Sequence, residues 1–491
     1  MKFSEKAYSA LLDRIFAITP SVQNAGFTGS SYKPGLDGMK RFDALLGHPW
    51  QSFRTIHVAG TNGKGSVSSM LASVLASAPA GSSPIPGKEF WKRPGSGGLP
   101  SGAAIGLYTS PHLMDFRERM KVITDDGWTM PSKEEVWEFF QTFDTSGLSF
   151  FEMTTGMALW WFRRQKVDLA VIEAGLGGRL DSTNIIAPDL CIITSIGLDH
   201  CALLGNTRAE IAAEKAGIFK PGVPALVASE DDETAPVFRK AAEAAGAPLF
   251  FADSAPEFSE EEEILAGMDL QGPCQQQNLH TVLVSLNLLR QLPGAPAPTA
   301  PPAETKNLGR SFSGRTAGPD CKEIAALEKA AERTGLRGRW ERLCEKPEVI
   351  CDIGHNPPAL ELNFARLRAM NRPLTIVYGI MADKDLAGIA PLMPPAEYIL
   401  VAPDIPRAMP AGVLRERLSA LRPDLPLQTA PSVAEGISLA LRRAPLTPDS
   451  IRGPLISGTA TAREGAGPLI YIGGSTFVVT AAIEYFNNRQ P

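Results

Sequence analysis

The chain of 491 residues has little of what marks several common protein classes. It has six cysteines, Cys191, Cys201, Cys274, Cys321, Cys344 and Cys351, and no two form a Cys-x-x-Cys pair. Neither a disulfide framework nor a zinc site is therefore expected. It has no apolar run near the roughly 18 residues that a bilayer span requires. Its opening residues mix charge with apolar spacing and lack a signal peptide's apolar stretch, so a cytoplasmic protein is expected. It has no excess of positive charge, with 48 Lys and Arg against 53 Asp and Glu. General attraction to nucleic acid or anionic membrane is thereby excluded, and any bound phosphate must be held by a local site. No internal repeat is evident.

What is present is ordinary for a globular enzyme: 44% hydrophobic and 21% charged residues. The length exceeds one usual core, so two domains are expected, with three possible. Stretches rich in Pro, Gly, Ser or Ala occur at 78–101, 293–319 and 444–467. Such composition resists packing and reads as surface loop or linker. The middle stretch is the natural boundary, giving domains at 1–295 and 336–491 with a linker or insertion at 296–335. Short β-branched runs at 55–58, 105–108, 169–173, 190–195, 225–228, 349–353, 374–378, 398–401 and 469–472 alternate with helical patterns such as 67–76 and 151–165. That alternation predicts an α/β fold: a doubly wound, mostly parallel sheet followed by a smaller α/β, Rossmann-like domain. Ligands of such sheets collect at the carboxyl ends of the strands.

The segment Gly60-Thr61-Asn62-Gly63-Lys64-Gly65-Ser66 joins a strand to a helix starting near Ser66. Glycines there let backbone N–H groups approach a polyphosphate, and the helix start adds partial positive charge. Lys64 suits the outer phosphates and Ser66 a bound magnesium ion. The match to Gly-x-x-x-x-Gly-Lys-Ser/Thr is imperfect, because Val58 replaces the first glycine and Gly65 separates Lys64 from Ser66. A glycine-rich turn without a ligand is the alternative.

This loop, with His57 and Val58 before it, resembles that of the folylpolyglutamate synthase and dihydrofolate synthase family of the Mur-ligase-like superfamily. Cell-wall Mur ligases carry Thr-Thr or Thr-Ser after the lysine, so Gly65-Ser66 favours the folate branch. The resemblance spans residues from about 42 to 486. It makes the first domain a Mur-ligase-like ATP-binding domain and the last a C-terminal ligase domain.

Further segments extend the likeness, and each has a structural alternative. Tyr108-Thr109-Ser110-Pro111-His112 matches a segment whose serine helps coordinate magnesium, which implies Ser110; a helix-start turn is the alternative. Phe116 and Arg117 match a substrate-side loop. Phe151-Glu152 matches a helix start beside the pterin substrate, although Glu152 near a helix start also suits the dipole. In 171–184, a carboxylate ending an apolar strand needs a cation or donors, so Glu173 is either a magnesium ligand, as in the family, or paired with Arg179. Asp181 in the same segment is a substrate-side candidate. The resemblance makes His200 a third metal ligand; alone it reads as a core histidine. Lys215 matches a lysine commonly carbamylated in the family, with an unmodified lysine facing phosphate as the alternative. Asn278 matches an asparagine near the nucleotide, while Cys274 departs from a frequent histidine.

In the second domain, Gly338-Arg339-Trp340-Glu341 implies that Arg339 reaches the phosphates, and a surface arginine is the alternative. Asp352 and His355 match nucleotide and active-site contacts, with Ile353 standing where the family has glycine. The β-branched Ile353 narrows the backbone options there.

The resemblance implies ATP and Mg²⁺, an acyl phosphate, closure on substrate binding, and L-glutamate with dihydropteroate or a folate as small-molecule substrates. Lys64, His200, Lys215, Arg339 and His355 form the expected catalytic set. A monomer without nucleic-acid or membrane partners is expected. Two other readings stay open: a Mur-type ligase with another acid, and a non-enzymatic nucleotide switch.

Overall fold

The computed structural model describes residues 3–18, 35–77, 103–291, 318–444 and 467–489; the three Pro/Gly-rich stretches fall largely outside them. The chain divides into two compact units. The first comprises Met1–Met268 and Gln275–Leu336, the second Asp269–Cys274 and Arg337–Pro491.

The first unit holds eight strands: β1 (Arg54–Ala59), β2 (Ile105–Tyr108), β3 (Met120–Thr124), β4 (Gly127–Thr129), β5 (Leu169–Glu173), β6 (Leu190–Ile193), β7 (Ala225–Val227) and β8 (Leu249–Phe251). Their order is β4-β3-β2-β5-β1-β6-β7-β8. All pairs from β2 to β8 are parallel, while β3 and β4 join as antiparallel edges. The central β5, Leu-Ala-Val-Ile-Glu, is buried along its whole length, as a parallel strand covered on both faces must be. Burying each such aliphatic side chain stabilises the fold by about 1.5–3 kcal/mol.

The helix Lys64–Ala76 leaves the end of β1, and every residue from Gly65 to Ala76 is buried. Small residues on all its sides permit that. One neighbour is the helix pair Cys321–Glu328 and Ala330–Thr334. These helices lie in the stretch expected at 296–335 as a linker or insertion. Asp320 and Glu323 form a capping box, and Ala326, Leu327 and Ala330 are buried. Ser73 Oγ donates to the Ala326 carbonyl at 2.7 Å, Arg333 Nε donates to Ser73 Oγ at 3.1 Å, and buried Lys121 donates to the Thr334 carbonyl at 2.8 Å.

The second unit holds β9 (Glu341–Glu345), β10 (Glu348–Asp352), β11 (Leu374–Tyr378), β12 (Glu397–Leu400), β13 (Leu427–Thr429) and β14 (Leu469–Gly473). Their order is β13-β12-β11-β14-β10-β9, all parallel except β9. Phe364, Tyr378, Tyr398 and Tyr471 lie in its core. The α/β class read from the sequence is what both units display. Among the described residues, no helix is long and apolar enough to cross a membrane.

Candidate active site

The phosphate-loop segment begins where β1 ends, and two of its glycines are required there. Gly60 has φ +150°, and a Cβ on it would lie 2.0 Å from Thr194 Oγ1. Gly63 has φ +85°, and a Cβ would lie 2.4 Å from Asn278 Oδ1. The helix begins at Lys64, two residues earlier than the sequence suggested. The chain after β6 braces the loop from one side. Thr61 N–H donates to the Ser195 carbonyl at 2.7 Å, Asn62 N–H donates to Ser195 Oγ at 2.9 Å, and Thr194 Oγ1 donates to the Asn62 carbonyl at 2.6 Å. Asn278 and Gln275 stand on the other side, with Asn278 Nδ2 donating to Gln275 Oε1 at 2.9 Å and Gln275 Nε2 to Ser66 Oγ at 3.4 Å.

Two lysines converge on the Gly60 carbonyl. Lys64 Nζ donates to it at 3.1 Å and to the Thr61 carbonyl at 3.1 Å, and Lys215 Nζ donates to it at 2.7 Å. Lys215 is buried on the helix Arg208–Ala216. Burial, with Lys64 as a second cause, pushes its amine down to about 7. Glu173 closes β5 with its side chain 3% exposed; one oxygen accepts from Ser110 N–H at 3.0 Å and the other lies 4.0 Å from Lys64 Nζ. Arg179 pairs instead with Glu214 at 2.8 Å, so the Arg179 alternative for Glu173 is overturned. The Ser110–Pro111 bond is cis, and no helix starts there.

Among the described residues, no three His, Cys, Asp or Glu side chains gather in a metal-binding group. The oxygen chemistry here nonetheless fits a hard divalent cation with phosphates, since Glu173 brings a buried carboxylate and Ser110 and Ser66 bring hydroxyls. His200 lies beyond the end of β6 at Ile193. It caps a short helix at φ +53°, with Nε2 3.8 Å from Asp199 Oδ2.

The substrate-side candidates are placed less openly than the sequence suggested. Arg117 turns to Asp115 at 2.7 Å and to the Pro131 carbonyl at 3.2 Å, fixing its own turn. Phe116 is buried against Phe16. Glu152 completes a capping box, accepting from Ser149 N–H at 2.7 Å. Asp181 is buried and accepts from Leu176 N–H at 2.8 Å and Thr183 N–H at 3.0 Å; burial pushes its carboxyl up. Sequence reasoning passed over Arg119. It is fully buried, donates to His112 Nδ1 at 2.9 Å, lies 5.2 Å over the Phe150 ring and feels the Glu173 charge. No local pattern signals it, because residues 116–119 form one short turn and carry no strand alternation.

In the second unit, Asp352 ends β10 and gathers three donors: Trp340 N–H at 2.9 Å, Gly354 N–H at 2.8 Å and Asn363 Nδ2 at 2.7 Å. Burial pushes its carboxyl up, opposed first by Arg339. His355 Nδ1 donates to the Ile353 carbonyl at 3.0 Å. Ile353 is absent from the positive-φ residues, so its branched side chain meets no backbone conflict; Gly354 is the constrained position, since a Cβ there would lie 2.9 Å from Asp352 Oδ1.

A glycine loop between strand and helix, a carboxylate on the neighbouring strand end and a buried lysine on the loop together define a nucleotide-using α/β ligase. The Mur ligase middle domain matches residues 149–283, and the Mur ligase glutamate ligase domain matches residues 338–451. A Bacillus subtilis dihydrofolate synthase/folylpolyglutamate synthase is 34% identical over 366 residues, 72% of this chain and 76% of its own length. The Escherichia coli protein of the same name is 33% identical over 359 residues, 72% and 74%. The fold is shared with E. coli FolC in complex with DHPP and ADP, at TM-score 0.70 and 24% identity over 99% of this chain and 98% of that one. It is likewise shared with Mycobacterium tuberculosis folylpolyglutamate synthase complexed with ADP and AMPPCP, at TM-score 0.72 and 23% identity over 98% and 99%. The chain belongs to the dihydrofolate synthase/folylpolyglutamate synthase family, and it is an ATP-dependent ligase.

Proposed function

We propose that the protein joins L-glutamate to dihydropteroate and to reduced folates, using ATP and an acyl phosphate. The observation that carries this reading is the convergence of Lys64 and Lys215 on the loop carbonyl of Gly60, with Glu173 at 4.0 Å from Lys64. Two amines crowding one carbonyl accord with a site built for a polyanion.

Residues 60–66 hold the ATP phosphates through their backbone N–H groups and Lys64, with Asn278 beside Gly63 on the nucleotide side. Glu173, Ser110 and His200 would hold Mg²⁺, which would supply charge neutralisation at the γ-phosphoryl group. The folate-side carboxylate attacks that group as Lys64 offsets the developing charge. ADP leaves, and the glutamate amine then displaces phosphate to give the amide. Burial lowers the Lys215 amine, and the neutral amine is the form that takes up CO₂, which supports its carbamylation. Phe116, Arg117, Glu152 and Asp181 are assigned to the pterin side. Asp352 acts by holding the turn that carries Arg339, with His355 beside it. The protein works as a cytoplasmic monomer; none of its six cysteines forms a disulfide, which accords with that compartment.

The test is phosphate release dependent on ATP, Mg²⁺ and glutamate, with dihydropteroate and then tetrahydrofolate. Release with both acids, abolished in Lys64→Ala, supports the two-activity reading. Release with tetrahydrofolate alone reduces it to tail lengthening.

A further inference from the structure

His57, on β1 three residues before the phosphate loop, is fully buried, and the mechanism above makes no use of it. Its Nε2 lies 2.8 Å from Thr183 Oγ1, and that hydroxyl lies 2.5 Å from Asp181 Oδ1. Thr183 is itself fully buried. The directions of these two bonds follow from chemistry. Thr183 N–H and Thr183 Oγ1 both donate to Asp181 Oδ1, so the single hydroxyl proton of Thr183 goes to Asp181. Thr183 oxygen can then only accept from His57, which places the imidazole proton on Nε2. His57 Nδ1 is buried and has no hydrogen-bond partner, which suits a bare nitrogen and not a second N–H. Burial, helped by the Lys220 ammonium, pushes the ring down to about 3, so it stays neutral.

The other Asp181 oxygen accepts from Leu176 N–H, in the turn that follows Glu173. One chain of donors thus runs from the strand that feeds the phosphate loop to the turn that follows Glu173.

We propose that His57 is a positioning residue for the folate-side acid, its neutral Nε2–H fixing Asp181 through the Thr183 hydroxyl. This rests on the assignment of Asp181 to the pterin side. In this role His57 and Thr183 act through Asp181, setting the direction of a buried carboxylate. Thr183→Val removes the hydroxyl at nearly constant volume, and His57→Leu removes the donor.

Steady-state kinetics separates the possibilities. Thr183→Val and His57→Leu are expected to raise KM for dihydropteroate roughly tenfold, the worth of one hydrogen bond, and to move KM for ATP less than about twofold. Thr183→Ser, which keeps the hydroxyl, is expected to recover most of the loss. If Asp181→Asn raises KM for dihydropteroate and Thr183→Val does not, the relay is overturned. If Asp181→Asn leaves that KM unchanged, the assignment of Asp181 fails and removes the basis of the inference. Imidazole ¹⁵N NMR of the wild-type protein tests the relay without depending on any variant's activity, with His57→Gln used only to assign the signal. A neutral Nε2–H ring from pH 5 to 8 is expected; an Nδ1–H tautomer or an imidazolium overturns the proposal.

Discussion

Glu173 and Asp352 occupy matching places, each the last residue of a parallel strand inside its own sheet, yet their surroundings differ in kind. Glu173 takes a backbone N–H from Ser110 and stands 4.0 Å from the loop lysine Lys64. Asp352 is ringed by the donors of Trp340, Gly354 and Asn363, all from its own unit. A strand-end carboxylate can therefore face chemistry or lock a turn, and its neighbours decide which. A lysine on a glycine loop points to the first, and a ring of short-range amide donors to the second.

The comparison is broken if the two carboxylates respond alike to neutralisation. Glu173→Gln is expected to lower phosphate release on the order of 10³-fold with little change in melting, read by steady-state assay and calorimetry. Asp352→Asn is expected to act on stability instead, costing about 1–3 kcal/mol in denaturant unfolding, because one amide face cannot accept the donors a carboxylate accepts.

Lys215 sharpens the contrast through pH. Its folded value of about 7 lies below the ordinary 10.5, so between those values the unfolded chain binds the extra proton. Stability accordingly rises as pH rises through that window, by roughly 2 kcal/mol from pH 7 to 9 relative to Lys215→Met. Equilibrium unfolding in CO₂-free buffer at both pH values checks this; equal changes in the two proteins would remove the buried-amine account. The smallest effect belongs to Arg179→Ala, whose pair with Glu214 is largely exposed. A stability change within about 0.5 kcal/mol is expected in the same unfolding assay.

Much of the fold was legible because buried parallel strands are continuous apolar runs. The spans 105–108, 169–173 and 374–378 coincide with β2, β5 and β11. The strands the sequence did not reveal are edges or near-edges. β4 carries the exposed Trp128, β9 reads Glu-Arg-Leu-Cys-Glu, and β13 is only three residues long. These three carry no such run, while β3 and β8 are apolar but short and lie at or next to an edge.

The glycine loop and Glu173 were legible because their chemistry is written locally. The brace from Thr194 and Ser195 was not, since its partners lie over 130 positions away in sequence. The opposite fates of Arg117 and Arg119 were hidden for a different reason: a turn of Asp115 with Arg117 sets which arginine goes inward. Asp181, inside a glycine-rich segment that reads as substrate-facing, proved to be held by Leu176 and Thr183.

The central claim is that the Lys64–Glu173 corner activates a carboxylate as its acyl phosphate. It is tested most directly by supplying dihydropteroate labelled with ¹⁸O in its carboxylate, together with ATP, Mg²⁺ and glutamate, and weighing the phosphate released. The account predicts one ¹⁸O atom carried into phosphate for each amide formed. Amide formation with unlabelled phosphate would contradict it.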